Sequence, residues 1–320
     1  MNTANVKALN GEKIREYKYS SKNIKKDIKK NWKLYLMTSL VFLYYILFCY
    51  KPMYGALIAF KDFSPGLGIM GSPWVGFENF TDFFTGQYFT RTLLNTLTVS
   101  ISSIIFGFPA PIILALLINE VNNKYFAKVV QTASYMPHFV SLVVACGLVK
   151  DFVADTGIIN YIISLFGGET SNLLQSSKAF VPIYVISGIW QEIGWNSIIY
   201  LCAITGVNQD LYEAAAVDGA GKWRQTWSVT IPGIMPTIVT MFILKLGTVM
   251  NVGFEKIILL YSPMTYETAD VISSYVYRVG LQDFRYGYST AVGLFNSVIN
   301  FALIILANQI SRKLNDTSLW

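Results

Sequence analysis

The stretch Asn208–Pro232, NQDLYEAAAVDGAGKWRQTWSVTIP, lies between two apolar segments and yet is patterned as an ordered element. Asp210 stands where a helix cap would, and Glu213 three residues later has the spacing to answer it in a capping box. Three alanines follow, then Gly219, a residue suited to a left-handed C-terminal cap. Leu211 to Asp218 make about two helical turns, which is short for independent stability, so the element needs something to pack on. Ala214 and Ala215 let another backbone come close, and Glu213 offers a directional charge to an Arg or Lys on a partner. Trp223 and Trp227 fall at i and i+4 on one helical face and would fix the next segment at a membrane boundary. Lys222 and Arg224 would face water or headgroups. A membrane protein with such a loop hands force or signal to a soluble partner. The plainer alternative is a connecting loop that contains one helical turn.

The surrounding chain is that of a membrane protein. Of its 320 residues 53% are hydrophobic and 14% charged, with a mean hydropathy of +0.43. Soluble domains carry about 25% charged residues. Six segments approach the roughly 20 apolar residues that a spanning helix needs: 34–50, 92–118, 129–149, 180–203, 233–251 and 288–310. Pro109 and Pro111 in the second are tolerable where neighbouring helices satisfy the freed backbone. The first run is not a cleaved signal, because its charged lead-in is long and Lys51-Pro52 stands where small residues would be. Cys49, Cys146 and Cys202 sit inside apolar runs and are expected to pack as thiols. The net charge of +6 concentrates before the first span, so it reads as membrane orientation rather than nucleic-acid binding.

With the N-terminus in the cytoplasm, sixteen of the 25 basic residues fall inside and eight outside. This places both termini and the 208–232 loop in the cytoplasm. The expected organisation is a basic cytoplasmic segment 1–33, an all-α six-helix transmembrane domain 34–311 and a short cytoplasmic tail 312–320. Outside connections run over 51–91, 150–179 and 252–287. Trp74, Phe77, Phe80, Phe83, Phe84 and Tyr88 in the first suit a membrane surface.

The order Glu213-Ala214-Ala215, Gly219, Val229, Ile231 and Pro232 resembles the Glu-Ala-Ala motif of ABC importer permeases. Val229 and Ile231 stand in for the commoner Ile and Leu, and Asp218-Gly219-Ala220 matches the form typical of carbohydrate importers. Further segments resemble the LplB-type, poly- and oligosaccharide branch of the maltose-permease-like group. They are YKPMYGALIAFKDFSP (50–65), VGFENF (75–80), NTL (95–97), YMPHFVS (135–141), WQEIGWNSIIYL (190–201) and GFEKIILLYSPMTYETADVISSYVYRVGL (253–281). The resemblance implies a type I importer fold whose loop, through Glu213, Ala214, Ala215, Asp218, Gly219 and Ala220, sits in a cleft of a cytoplasmic ATPase. It also implies two such ATPase subunits, a second permease, an extracytoplasmic binding protein and a carbohydrate cargo. The chain itself has no G-x-x-x-x-G-K-[ST] phosphate loop, so ATP and Mg would be held by the ATPase partners and no cofactor by this chain.

Polar groups inside spans are costly and often line a path. Trp190, Gln191, Glu192, Trp195 and Asn196 combine aromatic faces with amides and a carboxylate, a set suited to sugars. The same amides also serve to join helices. Asn296 and Asn300, one turn apart, line the same path or bond a neighbouring helix. Lys245 pairs with Glu192 or another carboxylate, or reaches for the interface. His138, the only histidine, reads better as a structural hydrogen bond beside Pro137 than as a proton relay. Glu267, Asp270, Arg278 and Asp283 are candidates for salt bridges in an outer element that lines a gate or meets the binding protein. Competing classes are an ion-coupled carrier, a membrane-embedded glycan or lipid transferase, and a receptor-like scaffold. The transferase would need converging acids, histidines or metal ligands that this sequence supplies sparsely.

Overall fold

The computed structural model describes residues 21–315, so the expectations for 1–20 and 316–320 fall outside the described residues. The chain forms two compact units, Met1–Ala56 and Leu57–Trp320. The described part of the first holds α1 (Ser21–Lys30) and most of α2 (Trp32–Phe60). Asn31 and Tyr35 each donate a hydrogen bond to Asp27, at 2.7 Å, across the junction between these helices. No side chain of Trp32–Tyr44 is buried. An apolar helix bare on every face is one whose solvent is lipid or a partner rather than water.

In the second unit the elements are α3 (Glu78–Thr85), α4 (Phe89–Glu120), α5 (Lys124–Tyr135), α6 (Leu142–Val153), α7 (Ile158–Leu165), α8 (Ser177–Thr205), α9 (Gln209–Val217), α10 (Lys222–Leu246), α11 (Phe254–Leu260), α12 (Ile272–Tyr277) and α13 (Tyr286–Asn315). The described residues form no β-sheet, only one isolated bridge between Lys61 and Trp74. α2, α4, α10 and α13 are long and apolar enough to cross a membrane. α8 has 29 residues, about 43 Å of helix. It is diluted at mid-length by Gln191, Glu192 and Asn196.

The third expected span is not one helix. α5 ends at Tyr135, Met136–Phe139 form a 3₁₀ turn, Val140 is extended, and α6 restarts with Ser141 as its cap. Pro137 has no N–H to continue the α-helical ladder, and the Ser141 hydroxyl accepts from Val144 N–H, so a new helix starts in a new direction. The prolines of α4 and α10 are absorbed inside their helices. A π-turn at Ser103–Gly107 precedes Pro109, and another at Thr226–Thr230 precedes Pro232. The widened turn relieves the clash of each ring with the turn before it.

One apolar core joins Val99, Cys146, Phe180, Ile257, Leu260 and Val271, and so binds α4, α6, α8 and α11 together. A second gathers Phe83, Met250, Ile272, Tyr275 and Val292 between α3, α12 and α13. All three cysteines are free thiols. Cys146 packs in the core as expected, whereas Cys202 is exposed on α8.

Candidate functional site

Two regions carry the chemistry: the 208–232 loop and a cavity between the helices. In the loop, α9 begins two residues earlier than Asp210 capping would allow. Asn208 is the cap, and its side chain accepts from Asp210 N–H at 3.0 Å. The expected Asp210–Glu213 capping box is therefore replaced by an Asn cap, which leaves the Glu213 carboxylate free of the helix start and exposed. At the other end Gly219 has φ +77°. Ala220 N–H donates to Ala215 C=O at 2.8 Å, and Gly219 N–H to Ala216 C=O at 3.0 Å. This crossed pair is a Schellman closure, and it consumes carbonyls that would otherwise face water. Tyr212 turns inward and donates to Thr230 Oγ1 at 3.0 Å, tying α9 to α10. Leu211 and Val217 remain 53% and 89% exposed. The exposed surface of α9 thus presents two apolar side chains, Ala214 and the carboxylates of Asp210 and Glu213. Trp223 and Trp227 share a face, with ring centroids 5.9 Å apart, and both are exposed. Lys222 does not simply face water: it pairs with Glu120 at the end of α4, at 3.4 Å.

The second region is a cavity of about 840 Å³ lined by α4, α8, α10 and the 251–256 segment. Gln191, Glu192 and Asn196 are on its wall, and Gln191 is the midpoint of α8. Trp190 and Trp195 are not on the wall. Trp195 stacks on His138, with centroids 4.4 Å apart and planes 3° from parallel. His138 Nδ1 lies 3.1 Å from Glu192 Oε2, so the lone histidine does make a structural bond beside Pro137, and its partner is the cavity's own carboxylate. Gln191 also donates to Val140 C=O at 3.4 Å, across the break in the third span. Asn296 and Asn300 are away from the wall. Asn296 donates to Asn251 Oδ1 at 2.8 Å, and Asn300 Oδ1 accepts from Met250 N–H at 3.0 Å. They satisfy backbone and side chain where the chain leaves helical form after α10, as non-helical backbone at membrane depth requires. Lys245 does line the cavity, but it makes no ion pair with Glu192 or any other described residue.

The segment 253–285 is ordered by one buried acid. Asp270 is fully buried and accepts from both Nη atoms of Arg278, at 3.1 and 2.6 Å, from Arg91 at 3.4 Å and from Ser274 Oγ at 2.9 Å. Burial works against the charge of Arg278, but the hydrogen bonds and charge of Asp270 outweigh it and hold its pKa above the ordinary value. Arg278 also lies over the ring of Tyr266, 4.6 Å from its centroid. Asn95 donates to the carbonyls of Glu267 and Asp270, and Ile272 N–H donates to Thr96 Oγ1. These bonds sew the 253–285 segment to α4. Of the four charged residues expected to pair here, Asp270 and Arg278 do, while Glu267 and Asp283 make no ion pair among the described residues. Arg91 and Glu120 carried no signal in the sequence, since their partners are far along the chain.

A helical membrane bundle with a capped, outward-facing helix between two spans, and beside them a mostly apolar cavity that carries Gln191, Glu192 and Asn196, is the architecture of a transport permease. The chain belongs to the family of binding-protein-dependent transport system inner membrane components, whose pattern matches residues 66–316. It is 43% identical to protein LplB of Bacillus subtilis strain 168 over 294 residues, 92% of each chain. The polygalacturonan/rhamnogalacturonan transport system permease protein YteP of the same organism is 44% identical over 290 residues, 90% of each chain. Among solved structures, a subunit of a bacterial ABC transporter involved in the import of the acidic polysaccharide alginate superposes with a TM-score of 0.86 at 46% identity. That match covers 92% of this chain and 99% of that one.

Proposed function

We propose that this chain is one permease subunit of an ATP-driven importer of oligosaccharides or polysaccharide fragments. It works with a second, homologous permease, two cytoplasmic ATPase subunits that hold ATP and Mg, and an extracytoplasmic solute-binding protein. The names of its relatives support the cargo class: YteP is named for polygalacturonan and rhamnogalacturonan, and the solved homologue for alginate. The observation that carries the coupling role is α9. It is closed at both ends by its own hydrogen bonds and tied to α10 through Tyr212, yet it presents Leu211, Val217 and Glu213 to the outside.

A helix so closed moves as a unit, so a push on its outer face reaches α10 through Tyr212–Thr230 and α4 through Lys222–Glu120. Both helices line the cavity. A shift of either alters the wall that carries Gln191, Glu192 and Asn196, which is what alternating access requires of a force applied at the loop. ATP and loaded binding protein would each favour one of the two states, and their coupling is reciprocal. No covalent step is assigned to this chain.

The test is Glu213→Lys in the full importer reconstituted with its partners. Substrate uptake is expected to drop at least roughly tenfold, the scale of a lost charge-assisted contact, with the permease still folded and ATP hydrolysis no longer tied to uptake. Uptake at the wild-type rate would sink the docking role of α9.

A further inference from the structure

Lys256 sits on the cavity wall and is 8% exposed. Its ammonium donates to Tyr184 C=O at 2.9 Å and lies over the Tyr184 ring, 4.7 Å from the centroid. An ammonium has three N–H donors, and the hydrogen bonds made among the described residues use one. None of the ion pairs among the described residues includes Lys256 or Lys245. Neither carboxylate bordering the cavity forms an ion pair with this charge: Glu192 is engaged by His138 and acts on the ammonium only through its longer-range charge, and Glu255 is exposed. A buried charge without a counterion is costly to fold and is kept where a ligand supplies the missing charge. Gly188 stands against the ammonium, and a Cβ there would lie 3.2 Å from Nζ. The absence of a side chain at 188 keeps the approach to Lys256 open on the α8 side.

We propose that Lys256, with Lys245 in the same cavity, is a specificity-determining residue that reads a carboxylate on the passing sugar, so that the favoured cargo is an oligosaccharide of sugar acids. This rests on the importer reading above. The Tyr184 carbonyl and ring hold the ammonium in place. A carboxylate in the cavity would accept from its free donors and neutralise it. A neutral hydroxyl offers only an uncharged acceptor, and the difference between the two is the selectivity.

The experiment measures uptake by the complete importer in proteoliposomes, with trigalacturonate and its methyl ester as paired probes. Each variant is expressed as a ratio to wild type for the same sugar, so the preference of the binding protein cancels. Lys256→Gln is expected to lower trigalacturonate uptake roughly tenfold and ester uptake less than about twofold, whereas Lys256→Arg keeps both. Equal losses for both sugars in Lys256→Gln would show that the lysine only joins Tyr184 to the 254–260 helix, and would overturn the inference. If Lys256→Gln does not assemble, Gly188→Ala crowds the ammonium without removing it and is expected to lower the acid-to-ester ratio; an unchanged ratio overturns the inference. A wild-type importer that takes up neutral oligosaccharides but no acidic one defeats this inference and leaves the importer reading intact. One that imports no saccharide with every partner present defeats both.

Discussion

The 208–232 loop and the 253–285 segment lie next to opposite ends of α10, and they are built in opposite ways. The loop is stabilised by neighbours in sequence: Asn208 caps Asp210, Ala220 closes on Ala215, and Tyr212 reaches Thr230. Its outer face is left bare. The 253–285 segment is stabilised by residues far away in sequence: Arg91 reaches Asp270, Asn95 reaches Glu267 and Asp270, and Thr96 receives Ile272. Its centre is dry. The first construction preserves shape while leaving a surface for a partner. The second holds an irregular segment against a helix bundle, where most buried polar groups are met from within the protein.

The two constructions separate under substitution. The largest effect is expected at Asp270→Ala, which leaves two guanidinium groups facing a vacated, buried position. Losing one partner of a buried pair costs about 3–5 kcal/mol. Thermal unfolding of the purified protein in detergent checks this, and a melting temperature within a degree of wild type would show that the 253–285 segment does not depend on its acid. A smaller, local effect is expected at Gly219→Ala, because a β-carbon at φ +77° costs about 1–2 kcal/mol. The protein should melt as wild type, while amide exchange in 209–220 becomes faster and uptake falls a few-fold. Slower folding of the whole chain would mean that the loop is not an independent unit. The smallest effect is expected at Glu120→Gln. Its pair with Lys222 has one partner 76% exposed, and such pairs contribute well under about 1 kcal/mol. Uptake should change by less than about twofold and lose part of its dependence on salt. A tenfold loss would instead make this pair a main route from the loop to α4.

Much of the loop was legible in the sequence because its stabilising contacts are local. Gly219 and the alanines mark a short closed helix whatever surrounds them. The start was misplaced by one residue pair because Asn208 and Asp210 are both good caps, and only the backbone shows which carbonyl begins the helix. The break in the third span was half legible. Pro137 signalled a kink, but Ser141 restarting a separate helix turned the kink into two helices. In the cavity, polarity singled out the right stretch of α8 without telling its faces apart. Gln191, Glu192 and Asn196 line the wall, while Trp195 faces the other way onto His138. Asn296 and Asn300 had the same signature as path residues and proved to brace the chain after α10. Lys256 gave no sign at all, because an isolated lysine in a mixed segment looks solvated until burial is known.

By itself the sequence determined the membrane class, the helical content and the loop, because apolar run length, charge bias and capping act over a few residues and need no knowledge of the rest. The tertiary structure alone decided which polar residues meet each other and which meet a cavity. Burial and pairing depend on contacts such as Arg91 with Asp270, 179 residues apart, and at that range the energy of a charge is set by what folds around it.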